Sequence, residues 1–173
     1  MADALDGGPY RLRCVITSAE GEESVYATRV GEVGQPIEAI GSAESGLLSD
    51  STSWWLSKAG GDDDTWFIVS HGPFPKGAGH GPVSLGFSND AVDQGAPIKF
   101  GPASGCYKMG PGMENGGRVI QVVPADSSDS KDRIDIMEPV IGINPVSGTL
   151  EVQRIMKPAG AQLGAPKWHF DKV

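Results

Sequence analysis

The chain has 173 residues, a length that favours one domain with room for a sizeable core. Its net charge of −8 and pI near 4.8 oppose phosphate backbones and anionic lipid, so neither nucleic acid nor membrane is an expected partner. No apolar stretch approaches the ~18 residues of a spanning helix, and residues 1–8 are short and acidic, unlike a signal peptide, so a cytoplasmic location with Cys14 and Cys106 reduced is expected.

Helical periodicity is nearly absent, and 25 glycines and 13 prolines fall between apolar runs as turn punctuation. The first predicted strand is 10–16, where Tyr10, Leu12 and Cys14 share one face. A polar loop at 17–23 contains Gly21 and Glu22. It leads to strands at 24–29 and 36–40. The loop 41–52 follows, with Ser45, Gly46 and Leu47 at its middle. Its apolar pair Leu47-Leu48 either tucks against the body or forms a contact point. The fourth strand, 53–58, carries Trp54 and Trp55. Asp62-Asp63-Asp64 reads as a solvated acidic turn, because calcium loops space their acids two apart. The fifth strand is 65–70.

The loop 72–81 is long for a hairpin connection. Pro73 and Pro75 fix their own φ and push each predecessor into an extended conformation. Phe74, Lys76 and Gly77 therefore sit on a stiff extended arm. Such an arm suits a protease cleft, which binds extended strands, and Lys76 suits a trypsin-like pocket whose buried acid needs a long cation. The alternative is a solvated turn with a chance lysine.

Further strands are predicted at 82–87, 97–100, 106–109 and 118–123. The polar stretch 125–132 reads as an exposed hairpin loop. The last three strands are 133–137, on the alternation of Ile134 and Ile136, then 149–155 and 167–171. His169, between Trp168 and Phe170, is expected to point outward.

Chemistry-bearing motifs are sparse. His71, His80 and His169 with the two cysteines lack the close spacing of a zinc site, so no metal is expected. No Gly-x-Ser-x-Gly elbow, phosphate loop or dinucleotide fingerprint occurs. No catalytic residue and no cofactor are assigned, and the chain reads as a non-enzyme.

Two aromatic-tipped sets recur roughly every 50–60 residues. One is Tyr10-Arg11-Leu12, Trp66-Phe67-Ile68 and Val119-Ile120-Gln121. The other is Trp55-Leu56, Tyr107-Lys108-Met109 and Trp168-His169-Phe170. Twelve strands in three groups of four predict an all-β fold, a β-trefoil. It would comprise three four-stranded repeats, about 9–60, 61–112 and 113–173, in a single domain 1–173, with a six-stranded barrel and a hairpin cap. Tyr10, Leu12, Trp55, Trp66, Ile68, Tyr107, Ile120, Val122, Trp168 and Phe170 are the expected core.

The passage Trp54-Trp55-Leu56, then Lys58-Ala59-Gly60-Gly61-Asp62-Asp63-Asp64-Thr65-Trp66-Phe67-Ile68, resembles that of the macrocypins. These belong to the mycocypin group of fungal β-trefoil protease inhibitors. Val25-Tyr26-Ala27, Pro36-Ile37-Glu38-Ala39 and Pro166-Lys167-Trp168 are similar to their second, third and last strands. A Kunitz-type inhibitor is a more distant likeness, through Gly81-Pro82-Val83-Ser84-Leu85 and Ile141-Gly142-Ile143. The resemblance implies a monomeric defence protein that blocks papain-like cysteine proteases with the first and third loops of repeat one. Here these are 17–23 and 41–52. It also implies a second site between strands five and six. That loop holds Lys76 and no asparagine, which points to trypsin-like serine proteases. The family's paired glycines before strand two are replaced by Glu22-Glu23, whose charges oppose docking in a protease cleft. The competing reading is a β-trefoil lectin, against which stands the lack of any Gln-x-Trp.

Overall fold

The computed structural model describes residues 5–41, 49–60, 64–71, 84–103, 105–113, 115–124, 136–157 and 164–173. These residues form an all-β structure with one short 3-10 turn, Ser49–Thr52, and no α-helix among them. Among the described residues, no helix is long and apolar enough to cross a membrane.

The described residues form twelve antiparallel strands: β1 (Gly8–Ser18), β2 (Gly21–Thr28), β3 (Glu38–Gly41), β4 (Ser53–Lys58), β5 (Thr65–Ser70), β6 (Leu85–Ser88), β7 (Lys99–Pro102), β8 (Cys106–Met109), β9 (Ile120–Val123), β10 (Met137–Ile143), β11 (Leu150–Met156) and β12 (Trp168–Lys172). A path of pairings runs β12–β1–β4–β5–β8–β9. It meets β12 again just before β9, where Arg118 and Trp168 exchange backbone hydrogen bonds of 2.8 and 2.7 Å. The remaining strands pair as β2–β3, β6–β7 and β10–β11.

Those three pairs meet in a ring of backbone bonds. Ile37 N–H donates to the Ile98 carbonyl, Ile98 to Leu150, and Leu150 back to Ile37, at 2.9, 2.9 and 2.8 Å. All three side chains are fully buried. Each residue thus satisfies one buried donor and one buried acceptor, which desolvation demands.

The core takes alternate residues of each strand. Tyr10, Leu12 and Cys14 of β1 are buried together, as are Trp66 and Ile68 of β5 and Ile120 and Val122 of β9. Trp54 stands edge-on to Phe87 at 4.7 Å, and Phe87 edge-on to Tyr107 at 6.0 Å. Gly86 sits where β6 crosses β5 at Val69; a Cβ there would collide with the Ile68 carbonyl, so only glycine fits.

Three expectations are corrected. Trp55 is 43% exposed, and its neighbour Trp54 is fully buried. The reason is pleat: Trp54 and Leu56 share the inner face, so Trp55 must face out. Phe170 is half-buried, its ring edge-on to Tyr10 at 6.2 Å. Of the expected tenth strand 133–137, residues 133–135 lie outside the described residues; Ile136 is outside the strand and 61% exposed, and the strand described there is Met137–Ile143.

Candidate functional site

β1 stays paired with β12 only from Tyr10 to Cys14, whereas its pairing with β2 runs on to Ser18. The two strands therefore leave the body as an arm. Every residue from Val15 to Glu23 is exposed. The arm is β-structured because Val15, Ile16 and Thr17 are branched at Cβ and favour extended backbone. Its turn is Ala19-Glu20. Glu20 N–H donates to Ser18 Oγ at 3.2 Å, and Ser18 Oγ–H donates to the Gly21 carbonyl at 3.3 Å. Gly21 has φ 131°, a value other residues rarely adopt, and its Cα hydrogens meet open space. The expected loop 17–23 is thus a hairpin tip in which only Ala19 and Glu20 lie outside strands.

β3 ends at Gly41, opposite Val25 near the arm's base. Glu23 folds its carboxylate over Gly41; a Cβ at Gly41 would lie 2.6 Å from Glu23 Oε1. Gly41 therefore sits beside the arm, and the chain is described again from Ser49. It returns through Ser49–Thr52, where the Ser51 carbonyl accepts from Arg29 N–H at 3.0 Å. Of the sequence-assigned contact residues, Gly21 and Glu22 lie on the arm. Ser45, Gly46 and Leu47 lie outside the described residues, as do Phe74, Lys76 and Gly77.

The segment 72–83 leaves the described structure at His71. There the imidazole leans on exposed Trp55, ring centres 5.6 Å apart and planes 35° apart. Sequence reasoning missed this surface pair by placing Trp55 in the core. The signal was Ser57, a polar residue two positions on and so on the same face as Trp55.

A cleft of about 640 Å³ flanks the arm, between β1 and the approach to β12. Its polar lining includes Arg13, Glu22, Asn115, Gln153, Lys167 and His169. Its apolar lining includes Val15, Ile16, Ile143, Ala165 and Pro166. Arg13 donates to both carboxylate oxygens of Asp171, at 2.7 and 3.2 Å, and these bonds hold its pKa above the ordinary range. His169 is half-exposed beside them. Its pKa is lowered by partial burial and by the Arg13 charge, against a smaller upward pull from Asp171.

Cys14 also lines this cleft but makes no nucleophile–base pair with His169. The register sets Cys14 opposite Trp168, so the thiol turns inward and the imidazole outward. Burial pushes the Cys14 thiol up to about 11, so it stays protonated at neutral pH. Both cysteines are free thiols. Among the described residues, no three His, Cys, Asp or Glu side chains gather as a metal site.

No family model and no curated protein matches the chain. Among solved structures it is similar to the cytolethal distending toxin of Actinobacillus actinomycetemcomitans, at 12% identity over 92% of this chain and 90% of that one, with a TM-score of 0.48. A likeness this remote carries no argument about activity or partners.

Proposed function

We propose that the chain is a β-trefoil protease inhibitor that blocks papain-like cysteine proteases by inserting the β1–β2 arm and the adjoining 41–52 segment into the active-site cleft. The trefoil reading is supported by the six-strand path that returns to β12 and by the hydrogen-bonded triangle of Ile37, Ile98 and Leu150. The inhibitor reading rests on one observation above all: a solvent-exposed, two-stranded arm with an unobstructed glycine at its tip and Gly41 near its base. A hairpin tip held in place by its own ladder loses little freedom on docking. Contact by backbone and shape needs no chemistry from the inhibitor. Glu22 and Glu23 bear on this differently. Glu23 is turned back over Gly41, which leaves Glu20, in the turn, and Glu22 as the carboxylates nearest the proposed interface. A second site for trypsin-like serine proteases at Lys76 belongs to the same proposal, as do a monomeric, cytoplasmic protein and a role in defence. Titrating papain with the purified protein tests the reading.

The lectin reading gains one observation. Trp55 offers an exposed ring beside His71, and sugars stack on such surfaces. Intrinsic tryptophan fluorescence during sugar titration separates the two: a lectin shifts Trp55 emission with a saccharide and leaves papain untouched.

A further inference from the structure

The arm has an unused hydrogen-bonding edge inside the cleft. Ser18 and Gly21 flank a two-residue turn, so they exchange hydrogen bonds, and so do the alternate pairs Ile16–Glu23 and Cys14–Val25. The N–H and C=O groups of Val15 and Thr17 therefore point the other way, toward the edge where β12 pairs with β1 as far as Cys14. β12 begins at Trp168, so Val15 and Thr17 have no ladder partner among the described residues. The Val15 carbonyl accepts only a long bond of 4.0 Å from the Cys14 thiol, and an edge whose backbone groups are so little engaged is a template for another strand.

This edge borders the cleft of about 640 Å³, a volume within the range of ligand sites. Pro166, across it, has no N–H to compete for the edge. Charge selects the occupant. Arg13 is matched by Asp171, and partial burial favours neutral His169, whereas Lys167 has no ion pair among the described residues; Glu22, the remaining charge of the lining, stands on β2 opposite Thr17, so an acidic group is favoured at the Lys167 end alone. The net charge of −8 opposes an acidic ligand at long range, but salt screens it beyond roughly 8–10 Å, and Lys167 acts within that distance.

We infer that the cleft binds an extended acidic peptide, which adds as a strand to β1 at Val15 and Thr17 and sets a carboxylate against Lys167. This site lies on the flank of the arm and does not depend on protease inhibition at its tip.

The test uses a short, blocked peptide of alternating valine and glutamate, followed by amide chemical shifts of the full chain. Saturable binding near 1 mM or tighter is expected, with shifts at Val15, Thr17 and Lys167. The same peptide N-methylated at alternate residues cannot form the ladder and should bind at least ~10-fold more weakly. Thr17→Pro removes the free N–H while sparing the β2 ladder and should weaken binding about as much. Lys167→Glu should instead favour a valine–lysine peptide, and it keeps the test valid if the proline variant does not fold. Equal affinity for methylated and unmethylated peptides overturns the inference, as does no binding by the parent chain. So does a dimer in sedimentation that Thr17→Pro dissolves, because the edge would then belong to a second copy.

Discussion

The indole nitrogens of Trp54 and Trp168 make the same bond in two parts of the chain. Each donates at 2.9 Å to a backbone carbonyl 27 residues earlier, Ala27 for Trp54 and Ile141 for Trp168. Both side chains are fully buried, and each strand pairs with β1. Tyr107 occupies the corresponding strand between them, and its hydroxyl donates to Asn89 Oδ1 at 3.0 Å. Three aromatic side chains thus span from a strand to a polar anchor and fill the middle of the core.

Trp54 and Trp55 therefore have opposite expected responses. Trp54→Ala should cost about 3–5 kcal/mol, from lost burial and from the orphaned Ala27 carbonyl. Trp55→Ala should stay within about 1 kcal/mol, the range of surface changes. Urea denaturation of the two variants measures both.

The two tryptophans also mark how far the sequence can be read. Eleven of the twelve strands fall at or near their expected places, because short apolar runs between glycine and proline turns are a local signal. Which face of a strand points inward is less local. Adjacent tryptophans mask the alternation that Leu56 and Ser57 carry, and the inner one packs against Phe87 and Phe100, far away in sequence. β10 was hidden differently. Pro139 and Gly142 resemble breakers, yet both have a place in this strand. Pro139 precedes the pairing to β9 at Val140, so its missing N–H costs no described bond on that side. Gly142 leaves room for the Gln153 amide; a Cβ would overlap it. The candidate site was legible in part. Gly21 stood out as a glycine at a turn and Glu22 as a charge in the same loop, but the flanking cleft depends on where β12 begins, which strand pairing alone reveals.

His169 gives a pH signature. Its pKa lies below the ordinary 6.5, so the unfolded chain takes up the proton first as pH falls. The His169 contribution to stability is thus intact above pH 6.5 and is lost as pH drops through the folded value. Proton NMR of the imidazole should show a midpoint below 6.5. Asp171→Asn should lower that midpoint further, by removing the stabilising carboxylate, and Arg13→Gln should raise it.

The two thiols should differ in reactivity. Cys14 is buried and its pKa is pushed up to about 11, whereas Cys106 is half-buried. Iodoacetamide at pH 8 should modify Cys106 first and reach Cys14 only after unfolding in urea. Mass spectrometry of the labelled peptides reads this directly. Equal labelling of both in the native chain would place Cys14 outside the core.

If a trypsin-like protease is also a target, Lys76 should provide the contact. A lysine meeting a buried carboxylate loses about 2–5 kcal/mol when truncated. Lys76→Ala should then raise the trypsin inhibition constant by roughly two to three orders of magnitude. Papain inhibition should not change, since Lys76 is assigned to a separate loop.

The most direct test of the account is inhibition of papain by the parent chain and by Gly21→Trp. Gly21 lies in open space at the arm's tip with φ 131°, so a bulky residue there strains the turn and blocks close approach to a cleft. The parent should abolish papain activity at about one equivalent with both proteins at micromolar concentration, and Gly21→Trp should raise the inhibition constant at least ~100-fold while the circular-dichroism spectrum stays the same. Full papain activity in excess parent protein, or inhibition that is indifferent to Gly21→Trp, would contradict the proposed role of the arm.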